Sequence, residues 1–256
     1  MLPRRVAPID SASTDVPGLA KMITERGLAP ITMAGGLSPE TDVGSLDAEV
    51  RAAGAALIRS VVDFTVDLGG DQINGVPYGT FGHPAGPIAP AAFVRAAREV
   101  GQAADYAHAR GITLTFEVLN RYETSLVNTA AQAMDFVTLS ESDHLRIHLD
   151  TFHMAIEEAD MGEAIRLALP KLGYLELGQS GRGLLGTGVV DVSGIVQLAL
   201  EAGYAGRFGV EAFSRSVLPA GRGDVPAIWR DPYASGAELA ADAVRVIQHG
   251  LDLSRK

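Results

Sequence analysis

Residues 112–150 read ITLTFEVLNRYETSLVNTAAQAMDFVTLSESDHLRIHLD. The opening run, 112–118, is short, apolar and rich in β-branched residues, which predicts a strand. A polar stretch carrying Asn120, Arg121 and Glu123 follows. Asn128 then stands as an N-cap candidate before a helix predicted over 129–139. A second strand is expected at 145–149, and Asp150 closes it. Strand, helix and next strand make one βα unit, and each strand carries an acid at its C-terminal end.

The same unit recurs on both sides. Gly27, Gly69, Gly111, Gly173, Gly203 and Gly250 each follow a stretch of helical periodicity, the pattern of helix, C′ glycine and strand. Strands are predicted at 5–9, 29–33, 72–76, 112–118, 145–149, 174–177 and 208–211. Helices are predicted at 16–26, 46–68, 89–110, 129–139, 155–169, 192–202 and 237–248. Alternation of this kind implies a parallel sheet, either a closed barrel or an open doubly wound sheet. The chain has no GxGxxG and no GxxxxGK[ST], so neither dinucleotide nor P-loop binding has support. The expectation is an α/β fold: a single TIM-type (β/α) barrel domain over residues 1–256. Seven units are counted where a closed barrel needs eight, so the first βα unit is expected to be missing.

Four successive strands place one acid each at the same end of the sheet: Glu117, Asp150, Glu176 and Glu211, spaced 33, 26 and 35 residues apart. In α/β barrels that end carries the active site. Singly, each acid reads equally well as a strand-end residue paired with an arginine. Together, four carboxylates repel one another unless a cation neutralises them, and oxygen ligands favour Mg²⁺ or Mn²⁺. His153 and Arg182 fall in loops just beyond these strand ends. His148 and His144 read as hydrogen-bonded structural histidines. His83 lies in the Gly/Pro-rich segment 78–87, YGTFGHPAGP, expected to be a binding loop or lid. A second long loop is expected at 214–232, with the only tryptophan, Trp229.

Composition narrows the partners. Of 256 residues, 21 are Lys or Arg and 31 are Asp or Glu, a formal charge of −10. Nucleic acid and anionic membrane surfaces both call for a basic face and are disfavoured. The chain has no cysteine, which removes disulfides, thiolate nucleophiles and cysteine-bound zinc. No secretory signal or membrane-length apolar run is present, so a cytoplasmic protein is expected.

Four segments are more specific: EVLNRYETSLVNTAAQA (117–133), HLDTFHMAIEE (148–158), GRGLLGTGVVD (181–191) and GYAGRFGVEAFS (203–214). They resemble the sugar phosphate isomerase/epimerase group of xylose-isomerase-like barrels. Within it they are most similar to ketose 3-epimerases of the D-tagatose/D-allulose (psicose) type. The resemblance covers roughly 29–248 and implies a TIM barrel with a Mn²⁺- or Co²⁺-dependent site. It implies Glu117 and Glu211 as the acid/base pair and as metal ligands together with Asp150. The family's metal-binding histidine falls on Glu176. Glu123, His153 and Arg182 are implied as substrate-binding residues. A homo-oligomer, dimer or tetramer, is expected.

Where the family usually reads HIGESHRG, this chain reads ELGQSGRG over 176–183. Glu176 thus replaces a histidine, Gln179 a glutamate and Gly181 a polar residue. Family members also carry a complete βα unit before the segment matching VAPID (6–10). The reaction so implied is metal-dependent inversion of C3 in a free ketose through an enediolate, with Mn²⁺ as the first choice of cation. Aldose–ketose isomerisation, C-glycoside cleavage and a non-catalytic sugar- or partner-binding barrel are the alternatives.

Overall fold

The computed structural model describes residues 14–219, 223–224 and 226–255. Six parallel strands form one sheet in chain order: β1 (Ile31–Ala34), β2 (Gln72–Gly75), β3 (Thr113–Glu117), β4 (Arg146–Asp150), β5 (Leu172–Gly178) and β6 (Arg207–Glu211). The strand expected at 5–9 lies outside the described residues. The sheet curls on itself: Arg207, opening β6, reaches across to Asp71 at 2.6 Å and to Gln72 at 3.3 Å, at the start of β2.

Eight helices flank the sheet among the described residues: α1 (Val16–Thr24), α2 (Ala48–Leu68), α3 (Pro90–His108), α4 (Ala130–Leu139), α5 (Thr151–Glu157), α6 (Met161–Ala168), α7 (Val192–Glu201) and α8 (Gly236–Leu253). Their starts are written locally. Asp47, Asp160, Asp191 and Ser235 each accept a hydrogen bond from a first-turn N–H, which satisfies a donor the helix leaves free. Gly69 ends α2 in the left-handed conformation, φ 79°.

Two local expectations are corrected. The cap of α4 is Thr129, whose side chain accepts from Gln132 N; Asn128 instead donates to the carbonyls of Leu119 and Thr124 and braces the loop. The helix predicted over 155–169 is two helices. Asp150 caps α5 directly at the strand end, and Glu158 is extended between α5 and α6 with its carboxylate accepting from Ala130 N at the start of α4.

Alternate strand residues face the helices. Ile73, Leu114, Phe116, Ile147, Leu149, Leu175 and Leu177 are all fully buried, packed against Val62, Val100, Phe136, Ile165 and Val196. Each such side chain contributes roughly 1.5–3 kcal/mol of burial. Gly75 is required where β1 meets β2: its φ is 99°, and a Cβ there would sit 2.4 Å from the Ala34 carbonyl oxygen. The intervening strand residues face the concave side, which is polar: Gln72, Asn74 and Thr115 form a hydrogen-bonded layer beneath the strand ends. No described helix is long and apolar enough to cross a membrane.

Candidate active site

The register of the sheet brings the acids together. Glu117 pairs with His148 across β3 and β4, Asp150 with Glu176 across β4 and β5, and Gly178 with Glu211 across β5 and β6. All four predicted acids therefore stand on the concave face at the C-terminal ends of consecutive strands. Gly178 makes room for them: a Cβ there would lie 2.7 Å from Asp150 Oδ1.

Two compact groups of ligand-type atoms result, each within 4.8 Å throughout: Glu117 with His148 and Glu176, and Glu117 with Asp150 and His153. Glu117 belongs to both. Glu211 belongs to neither; Nη2 of Arg182 donates to its Oε2. Arg182 Nη1 donates to Glu123 Oε1 at 3.3 Å, and the guanidinium lies between the rings of Phe152, 4.2 Å away, and Phe213, 4.7 Å away. Arg182 holds this place with a left-handed backbone, φ 51°.

His148 is the residue that sequence reasoning set aside. It is 1% exposed, and its Nδ1 has no hydrogen-bond partner. Its Nε2 lies 3.1 Å from Glu176 Oε2, a contact that favours a protonated, charged ring. The available signal was its parity with Asp150, which puts both side chains on one face of β4.

His153 behaves differently. Its Nδ1 accepts the main-chain N–H of Asn120 at 3.0 Å, leaving Nε2 to face Glu117 Oε1 at 3.5 Å and Asp150 Oδ2 at 3.6 Å. Burial lowers the basicity of this ring, and Glu117 and Asp150 raise it to a net upward direction. The Asn120 donor still needs a bare Nδ1, so the ring held by this geometry is neutral with its proton on Nε2.

The crowding shows in the acid–base properties. Burial, with Glu176 and Glu117 nearby, pushes Asp150 up to about 6. Burial and the charges of Glu117, Asp150 and Glu176 push Glu211 up to about 8 against the pull of Arg182. Burial works against a charged His148, yet Glu117 and Glu176 lift it to about 9. Burial opposes the charge of Glu117 too, but His148, His153 and Arg182 hold it below the ordinary carboxylate value. Divergent proton affinities among neighbouring acids mark sites that move protons.

The altered loop is tightly built. Gln179 is buried; its Nε2 donates to the carbonyls of Leu185 and Val190, and its Oε1 accepts from Ser180 N and Val190 N. Gly181 faces open space. The loop of residues 78–87 closes over the site edge, with Tyr78 donating to the Glu117 carbonyl and Gly82 to that of Glu123. His83, in that loop, is exposed. His144 stacks on His108, 3.6 Å between ring centres, away from the site.

Comparison with known proteins agrees with this fold. The family pattern described as xylose isomerase-like TIM barrel matches residues 3–247. The L-ribulose 3-epimerase of Mesorhizobium japonicum is 39% identical over 250 residues, covering 97% of this chain and 83% of that protein. The ketose 3-epimerase of Arthrobacter globiformis is 37% identical, covering 95% of this chain and 84% of that protein. A solved structure of an L-ribulose 3-epimerase superposes with a TM-score of 0.90 at 37% identity, covering 96% of this chain and 82% of that one. A Methylomonas D-allulose 3-epimerase in complex with D-allulose superposes with a TM-score of 0.87 at 33% identity, covering 93% and 83% of the two chains.

Proposed function

Since the chain belongs to the xylose isomerase-like TIM barrel family, we propose that it is a divalent-metal-dependent isomerase that inverts C3 of a free ketose. The observation that carries this reading is the convergence of Glu117, Asp150, Glu176 and Glu211 on one concave face, where the buried atoms His148 Nδ1, Asp150 Oδ2 and His153 Nε2 have no hydrogen-bond partner. Such orphaned donors and acceptors fit a cation and a polyhydroxyl substrate, because a buried polar atom left unpaired is costly.

The cation, Mn²⁺ in this reading, belongs to the carboxylate set Glu117, Asp150, Glu176 and Glu211, where it would polarise the ketose carbonyl and offset the charge of the enediolate. Epimerisation needs one group to take the C3 proton from one face and another to return it to the opposite face. Glu117 on β3 and Glu211 on β6 stand on strands separated by β4 and β5, so they can flank a sugar from two sides. Without a cation, His148, His153 and Arg182 favour an ionised Glu117, while burial and the neighbouring acids favour a proton on Glu211. His153 offers its Nε2–H to a substrate oxygen. Glu123 and Arg182 orient the polar end of the sugar. Arg182 is already engaged by Glu123 and Glu211, so it is poorly placed to clamp a phosphate, which favours unphosphorylated substrates.

The test is incubation of the Mn²⁺-loaded protein with free ketopentoses and ketohexoses in D₂O. C3 inversion with deuterium at C3 is expected. Deuterium at C1 with an aldose product would replace this reading by aldose–ketose isomerisation, and no turnover with any ketose would overturn it.

A further inference from the structure

We propose that Asn120 is a positioning residue: its side-chain amide sets which nitrogen of His153 carries the proton and ties that ring to Glu123, so that both side chains meet the substrate in one fixed arrangement. The inference rests on the epimerase reading above and adds to it a residue that is itself buried, 2% exposed.

The partners of the amide fix its orientation. Its Oδ1 accepts the main-chain N–H of Tyr122 at 2.9 Å. The amide nitrogen is therefore the atom that faces Glu123 Oε1 at 3.1 Å and His153 Nδ1 at 2.8 Å. It has two hydrogens and no lone pair to give, so each neighbour receives one hydrogen bond. Nδ1 must then be bare, and the ring proton stands on Nε2, which lies 3.5 Å from Glu117 Oε1 and 3.6 Å from Asp150 Oδ2. The main-chain N–H of Asn120 shares the same lone pair of Nδ1 at 3.0 Å.

Both sides of this contact are anchored. Glu157, one helical turn beyond His153 on α5, accepts the next main-chain N–H of the loop, that of Arg121, at 2.7 Å. Two side chains four residues apart on α5 thus grip two consecutive N–H groups of the loop after β3. On the other side, Glu123 Oε1 also accepts from Arg182 Nη1 at 3.3 Å, and Arg182 Nη2 donates to Glu211. Hydrogen bonds therefore run without a break from His153 through Asn120, Glu123 and Arg182 to Glu211, and Asn120 is the member that joins the ring to the rest. An isosteric substitution isolates its part: Asn120→Asp keeps the oxygen that Tyr122 needs but offers Glu123 and His153 only acceptors.

Long-range ¹H–¹⁵N NMR of the full chain reads the tautomer, with ¹⁵N-labelled histidine and Mg²⁺ in place of paramagnetic Mn²⁺; the His153→Gln spectrum identifies the ring. The wild-type ring is expected to carry its proton on Nε2. Asn120→Asp should move that proton to Nδ1 and lower kcat for ketose epimerisation about 10–100-fold, with KM changed less. A bare Nδ1 in folded Asn120→Asp, or an unchanged kcat, overturns the inference: the main-chain N–H then suffices, and the amide only completes the turn to Tyr122. A wild-type ring protonated on Nδ1 overturns it too. Should Asn120→Asp fail to fold, Asn120→Ala removes the amide and keeps the main-chain donor, so the single tautomer should give way to a mixture and kcat should fall. A single Nε2–H ring at unchanged kcat in Asn120→Ala overturns the inference. The tautomer is read without substrate, which separates the two failures: no ketose turnover in wild type overturns the epimerase reading, whereas a ring that ignores the substitutions overturns this inference and leaves that reading standing.

Discussion

Arg182 holds Glu211: Nη2 of the guanidinium donates to its Oε2, while stacking between Phe152 and Phe213 fixes the guanidinium plane. Glu211 is thus drawn toward Arg182 and away from Glu117, His148 and Glu176, and in the proposed reaction it serves as the second proton carrier. Two distinct bases predict a reciprocal phenotype. Glu117→Gln and Glu211→Gln should each lower epimerisation by more than about 10⁴-fold, since each loses a proton carrier and site charge. Each variant should still exchange the C3 proton of one epimer with D₂O, and the two variants should choose opposite epimers. NMR of recovered substrate checks this; a tenth of the activity retained in either variant would sink the assignment.

Arg182→Lys tests the clamp itself. A lysine carries one compact ammonium and cannot span Glu123 and Glu211 while stacked between two rings. Turnover should fall about 10–100-fold, as for loss of a residue that orients a functional group. Withdrawal of the paired positive charge from contact with Glu211 should raise the upper pH limb of kcat, because Arg182 opposes the upward push on that carboxyl. An unchanged pH profile would show that the pair does not tune Glu211.

The site also predicts how apo stability varies with pH. Asp150 near 6, Glu211 near 8 and His148 near 9 all lie above their ordinary values, so between about pH 5 and 9 the folded apo chain binds more protons than the unfolded chain. Stability then falls as pH rises through that window. Glu117 acts oppositely, its lowered value adding stability that is lost only in stronger acid. Mn²⁺ must displace the site protons, so its affinity should climb from pH 6 to 9 with proton release. Calorimetry in two buffers of different ionisation enthalpy measures the released protons; zero release would contradict the proton assignment.

Gln179 predicts a stability effect in a position that reads, in sequence, as an altered active-site residue. Its amide donates to two buried carbonyls, a role no ionised glutamate can take. Gln179→Glu should therefore cost roughly 1–3 kcal/mol or more, with the loss larger at pH 8 than at pH 4, where the protonated acid recovers one donor. Thermal melts at the two pH values check it. Equal melting points for variant and wild type at pH 8 would show that the loop finds other donors.

What the sequence carries and what it hides divide along physical lines. The six described strands and the acids ending β3 to β6 were legible because alternation, glycine stops and unit length are local. The break between α5 and α6 was not, because it depends on Glu158 reaching a backbone N–H on α4, 28 residues back. His148 was passed over for the same reason: nothing in LRIHLD shows that a β5 carboxylate arrives 3.1 Å from its Nε2. Gln179, a changed residue in a functional motif, also braces its own loop through the carbonyls of Leu185 and Val190, contacts that local sequence does not announce.

Glu176 concentrates these threads. On the proposed reading, a glutamate where the family has a histidine adds an anionic ligand, which would harden the site toward Mn²⁺ and Mg²⁺ and quench the field that stabilises an enediolate. It also faces His148, so a histidine at 176 would bring a second imidazole beside the first and remove one charge pushing on Asp150 and Glu211. Glu176→His should therefore shift metal preference toward Co²⁺ and raise turnover. It should also lower the pH at which Glu211 titrates. Calorimetric titration of Mn²⁺ and Co²⁺ into both proteins, with C3 epimerisation measured beside it, decides the matter. If metal affinities and turnover stay the same, Glu176 is not a ligand and the account of the site fails at that residue.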